Sequence, residues 1–178
     1  MTDIEKLLAI EAIKQLKARY FRCMDTKDFD GLAETFAPDA CFSARSPKSR
    51  ATGTARLADF TVTGRKDIME KIMGRVLTAE IMHHGHMPEI EILSHAEARG
   101  VVAMESSHWV MAEGRATAIV RSFGYYYDTY TCAQGRWQVQ TSELVLIRAD
   151  SQPWHEPAPA AADRTGFEVP ADGSIRAD

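Results

Sequence analysis

Three of the chain's six histidines stand close together in Met82-His83-His84-Gly85-His86-Met87-Pro88-Glu89-Ile90-Glu91-Ile92. The segment reads as the start of a β-strand, where successive side chains point to opposite faces. His83 should therefore face one way, and His84 and His86 the other. Imidazole titrates nearest neutrality, so a histidine held in a pocket can take and return protons at working pH. Tyr20 and Asp25, on an earlier helical segment, could complete such a site. Five residues on an ideal helix turn about 500°, which leaves these two some 140° apart. Asp25 is accordingly expected where the helix ends and the chain bends.

Two chemistries fit this cluster. In one, His83 faces the interior as a general acid/base. In the other, the H-x-H pair His84 and His86 binds a metal with a carboxylate such as Glu105, although the sequence fixes no third ligand. His108 shares a strand face with Met104 and Val110, where a core histidine satisfied by a neighbour is the ordinary outcome. Gly124-Tyr125-Tyr126-Tyr127-Asp128-Thr129-Tyr130 is either plain β-propensity or a pocket wall whose phenols polarise a carbonyl. Arg121 and Arg148 could meet an anion or simply be solvated. The sequence holds no Gly-rich phosphate loop, G-x-S-x-G elbow or Walker pattern, so nucleotide binding and serine hydrolysis gain no support.

The elements that must position these residues are legible from periodicity. Thr2-Asp3-Ile4-Glu5 is a capping box. Apolar residues from Ile4 through Ile13, Leu16, Tyr20 and Met24 then follow helical spacing. Phe29, Leu32, Ala33 and Phe36 suggest a second short helix that stops near Ala37, before Pro38. Cys41-Phe42-Ser43 reads as a first strand, residues 45 to 59 as a solvated basic loop (Arg45, Lys48, Arg50, Arg56), and Asp67 to Met73 as a third helix. The period then becomes two. Val102, Met104, Ser106, His108 and Val110 share one face of a strand, with a turn at Glu113-Gly114-Arg115. A strand from Ala116 to Cys132, a turn at Gln134-Gly135-Arg136 and a last strand from Trp137 to Ile147 follow. Helices first and hairpin-linked strands after predict an α+β domain with an antiparallel sheet over residues 1–148. Residues 149–178, rich in Pro and Ala, read as a tail, extended or partly ordered.

At 178 residues and a net charge of −4, the chain suits one domain with a real core and carries no basic excess that would suggest nucleic acid. Three scattered cysteines argue against a disulfide framework or a structural zinc site. The acidic N-terminus does not read as a secretory signal, and no apolar run approaches bilayer length. A cytoplasmic protein with no membrane partner is the expectation.

Ile13-Lys14-Gln15-Leu16-Lys17-Ala18-Arg19-Tyr20, Asp25, Phe29 to Ala40, His83 with Pro88 to Ile92, and Gly135-Arg136-Trp137 together carry a resemblance. Over roughly residues 4 to 148 the chain resembles the SnoaL-like branch of the nuclear transport factor 2-like superfamily, with its scytalone dehydratase-like and bile-acid dehydratase-like members. The resemblance implies a cone, in which a strongly curved sheet wraps a deep apolar pocket closed by the N-terminal helices. It implies a lyase of dehydratase type or an isomerase, without metal or cofactor, acting on a hydrophobic and cyclic small molecule. His83 would pair with Asp25, Tyr20 would hold the substrate oxygen, and His108 would stand as a second active-site histidine. Tyr126, Phe21, Met104 and Phe123 would contact substrate. A homodimer or homotrimer would be usual. The rival expectation is a binding or assembly module of the same fold without catalysis.

Overall fold

The computed structural model describes residues 1–46 and 59–154. Thr2 caps the first helix reciprocally: its hydroxyl accepts from the Glu5 N–H at 3.2 Å, and its own N–H donates to the Glu5 carboxylate at 2.6 Å. Helix α1 runs Asp3–Asp25. Its inward stripe of Ile13, Leu16, Tyr20 and Met24 is buried, whereas Ile4, Leu7 and Leu8 are exposed, so the helix packs against the body of the domain only from Ala9 onward. The Thr26 N–H bonds back to the Arg22 carbonyl, and Lys27 turns the chain with a φ of 61°. Asp25 therefore stands at the helix end, as its spacing from Tyr20 requires.

Helix α2 is shorter than predicted, Phe29–Ala33, and does not reach Ala37. The cause lies at Thr35. Its hydroxyl donates to the Leu32 carbonyl at 2.6 Å, and its own carbonyl accepts the Val139 N–H at 2.8 Å, which draws the chain into the sheet. Strand β1 is correspondingly longer, Phe36–Arg45. Pro38, with no N–H to give, lies where the pairing of this strand is interrupted between Phe36 and Cys41.

Strand β2 (Phe60–Thr63), helix α3 (Arg65–Val76) and strands β3 (Ala79–Ile92), β4 (Glu97–Ala112), β5 (Arg115–Ala133) and β6 (Arg136–Pro153) complete the order. The β4–β5 and β5–β6 turns take positive φ at both central residues, 51° and 77° at Glu113-Gly114 and 53° and 76° at Gln134-Gly135. That is the turn sense that matches strand twist in two-residue hairpins. The six-stranded sheet has the order β2-β1-β6-β5-β4-β3.

Two expectations are corrected here. The sheet is mixed, because β1 pairs with β6 in parallel; the antiparallel reading extended hairpin logic to two strands that no hairpin joins. The last strand also continues to Pro153, pairing Ala118 with Pro153 and Val120 with Ser151, so residues 149–153 belong to the sheet and not to a tail. Of the predicted basic loop, Arg45 lies on β1 and pairs with Glu143, whereas Lys48, Arg50 and Arg56 fall outside the described residues, as do 155–178.

Register shifts at His86/Glu89, Val110/Met111, Phe123/Gly124 and Thr129/Tyr130 mark the long strands, and bulges of this kind bend a sheet and increase its twist. At Gly124 the strands approach so closely that a Cβ would run into the Val145 carbonyl. The inner face carries the core, in which Phe36, Phe42, Ile68, Ile72, Val102 and Leu146 meet the stripe of α1.

Candidate active site

His83 lies on β3, an edge strand, where α1 crosses it. Its side chain is buried, while those of His84 and His86 are more than half exposed on the opposite face, as strand alternation demands. Asp25 meets His83 twice. One carboxylate oxygen accepts from the His83 backbone N–H at 2.9 Å, and the other lies 2.7 Å from Nδ1 of the ring. Both Asp25 oxygens are thus engaged with His83, and the other ring nitrogen, Nε2, stays outside that pair.

Two rings fix the plane of the imidazole. Phe21 stacks on it at 5.8 Å and 14°, and His108 meets it edge-on at 5.5 Å and 78°. Phe21 can lie there because residue 85 is glycine; a Cβ at Gly85 would collide with the Phe21 ring. His108 Nε2 lies 3.2 Å from the Ser106 hydroxyl. Burial, with further contributions from the neighbouring His83 and Lys27, lowers the His108 pKa to about 4, so His108 is neutral at pH 7.

His83 opens on a cavity of about 300 Å³ between the helices and the inner face of the sheet. Phe42, Ile72, Val76, Met104, Leu144 and Leu146 make most of its wall apolar. Its polar lining comprises Tyr20, Tyr126, His83, His108, Ser106 and Ser122, with Arg75 and Thr78 contributed by the end of α3 and the turn after it. The rings of Tyr20 and Tyr126 are 5.9 Å apart. Burial raises the pKa of both phenols, Tyr20 well above the ordinary value and Tyr126 upward as well, so both are neutral donors at pH 7.

Of the residues read from sequence, the structure gathers Asp25, His83, Tyr20, His108, Tyr126 and Met104 around this cavity. Phe21 acts one step back, against the face of His83 rather than on the cavity wall. Phe123 is a correction. It pairs with Glu105 and Arg148 on the outer face of the sheet, because alternation sends Ser122 and Tyr126 inward and leaves Phe123 outside. The two histidines of the metal reading each approach Glu105, at 3.8 Å for His84 and 3.7 Å for His86. Among the described residues, no group of three or more His, Cys, Asp or Glu is arranged to hold a metal ion. Arg148 pairs with Asp150 in solvent.

Sequence reasoning passed over the buried support behind the phenols. Lys17 is only 4% exposed; its Nζ lies 2.8 Å from Asp128 and over the rings of Tyr126 and Tyr20, at 3.7 and 4.4 Å. Tyr130 donates to the same Asp128 oxygen at 2.9 Å. The signal was present: Lys17 sits four residues after Ile13 and three before Tyr20, on the apolar stripe itself.

Comparison with known proteins agrees with this architecture. Among solved structures, a candidate scytalone dehydratase from Novosphingobium aromaticivorans superposes with a TM-score of 0.68 at 20% identity, covering 88% of this chain and 95% of that one. A type 3 hexachlorocyclohexane dehydrochlorinase, LinA, from Novosphingobium barchaimii gives 0.68 at 16% identity, covering 89% of this chain and 100% of that one. A Mycobacterium tuberculosis protein of unknown function gives 0.62 at 20%, covering 92% and 86%. At these identities the likeness is one of fold. The SnoaL-like domain profile matches residues 5–143, and the chain belongs to that family.

Proposed function

We propose that this protein is a cofactor-independent lyase of dehydratase type, or an isomerase, acting on a hydrophobic cyclic small molecule. The observation that carries the reading is the doubly bonded Asp25–His83 pair in the wall of a mostly apolar cavity. His83 Nε2 removes a proton from the carbon next to a carbonyl. The electron pair of that C–H bond moves to the carbonyl oxygen, giving an enolate. Tyr20 and Tyr126, held neutral by burial, donate to that oxygen in a site where water is scarce and such bonds count most. Asp25 stabilises the imidazolium that forms. In the lyase case the enolate collapses, the β C–O bond breaks, and the departing oxygen takes the proton from His83 to leave as water. In the isomerase case the same proton returns to a different carbon.

The test is proton exchange. Cyclic ketones and β-hydroxy ketones incubated with the protein in D₂O are followed by NMR for loss of the α-hydrogen and for alkene formation. Native protein is expected to exchange at least one of them, and His83→Gln to slow that exchange by about 10²–10⁴-fold, the usual worth of a general base. An unchanged rate in His83→Gln, or no exchange across the panel while ligands still bind, would sink the enzyme reading in favour of a binding module.

A further inference from the structure

Arg75, in the last turn of α3, lies at the rim of the cavity. Its guanidinium sits 4.5 Å from the Phe60 ring centroid, and the Lys71 ammonium, one helical turn earlier, lies 5.1 Å from the same ring. Neither cation has an acidic or hydrogen-bonding partner among the described residues. A basic residue at a helix C-terminus often serves the helix dipole alone, yet Arg75 makes no bond to a helix-end carbonyl and lies along Phe60 instead. Among the described residues the cavity lining includes no Asp or Glu, which leaves Arg75 as its one permanent charge. Partial burial already opposes the charged form of the guanidinium.

We infer that the cavity takes a carboxylate-bearing substrate, with Arg75 gripping the carboxylate at the rim while the apolar body points inward toward His83. The inference deepens the reading above and rests on it for the claim that this cavity is where substrate binds. A guanidinium presents paired N–H donors that match a carboxylate edge, and stacking on an aromatic ring keeps that fork aimed. A neutral hydrophobe would leave the cation unanswered, and an amine would be repelled. A volume near 300 Å³ lies at the lower end for small-molecule pockets, which suits a body of one or two rings.

The experiment measures binding, so its outcome is independent of catalysis. 2-Naphthoate, 2-naphthalenemethanol and 2-naphthylmethylamine, which share one apolar body, are titrated by calorimetry against native protein, Arg75→Met, Arg75→Lys and His83→Gln. Native protein should prefer the carboxylate over the alcohol by about tenfold or more, as a charge-assisted pair allows. The amine should bind weakest, and the preference should shrink as salt rises. Arg75→Met should lose the preference while keeping affinity for the alcohol, Arg75→Lys should keep part of it, and His83→Gln should keep all of it. Equal binding of acid and alcohol by native protein, survival of the preference in Arg75→Met, or failure of all three compounds to bind would each overturn the inference. A carboxylate preference without proton exchange would retire the lyase reading and leave this one standing.

Discussion

His108 pairs an inert protonation state with a central position, and that combination has a measurable cost. Its pKa falls from 6.5 to about 4 on folding because the charged ring would lose its hydration and face His83. As pH drops through 6.5 the unfolded chain takes up a proton that the native state refuses until about pH 4. Stability from this residue is therefore fully present above the unfolded value and declines across the window between 6.5 and 4. Between about pH 7 and 4.5 the loss is roughly 2 kcal/mol, since a tenfold difference in proton affinity between the two states is worth about 1.4 kcal/mol. Urea unfolding should show His108→Gln losing less stability than native protein over that interval. Identical pH slopes in the two proteins would contradict the assignment. At this scale the sequence was partly readable. The types and spacing of His83, Tyr20 and Asp25 singled out residues that the fold brings to one cavity, and strand alternation separated His83 from His84 and His86. The same alternation turns Phe123 outward, against its grouping with Tyr126 as a substrate contact, whereas the meaning of Arg75 depends on which ring it lies against.

At the scale of elements, α1 is fastened to β5 by the buried Lys17–Asp128 pair, which also lies under the two phenols. Burial lowers the Lys17 pKa, opposed by the attraction of Asp128, so each charge is tolerated because of the other. Removing one partner of such a pair strands a charge in the core and typically costs about 3–5 kcal/mol, whereas replacing both is far milder. Lys17→Met should fall in that range in chemical denaturation, and Lys17→Met with Asp128→Asn should recover a substantial part of the loss. Additive losses would mean that the two side chains do not depend on each other. The helix and hairpin strands were legible because their periods, caps and turn residues are local properties. Thr2-x-x-Glu5, Glu113-Gly114 and Gln134-Gly135 all act within a few residues. The early end of α2 and the parallel β1–β6 pairing were not legible, since both are set by Val139 and its neighbours about a hundred positions away.

For the whole molecule, the site belongs to no single element: Asp25 and His83 are 58 residues apart and meet only when α1 lies down on the edge strand. One detail of that meeting reaches beyond the site itself. The His83 backbone N–H donates to an Asp25 oxygen and not to a neighbouring strand, so its protection from solvent deuterium follows α1 docking rather than strand pairing. Hydrogen exchange at this amide, compared with β3 amides bonded to β4, should separate the two events. In Asp25→Ala the His83 amide should exchange much faster while the β3–β4 ladder stays protected, and equal protection in both proteins would refute this. An edge strand with a free N–H also invites another chain to pair with it. The Asp25 carboxylate thus also stoppers the edge, and a state with α1 lifted would lose the Asp25–His83 bond and expose an adhesive strand in the same movement.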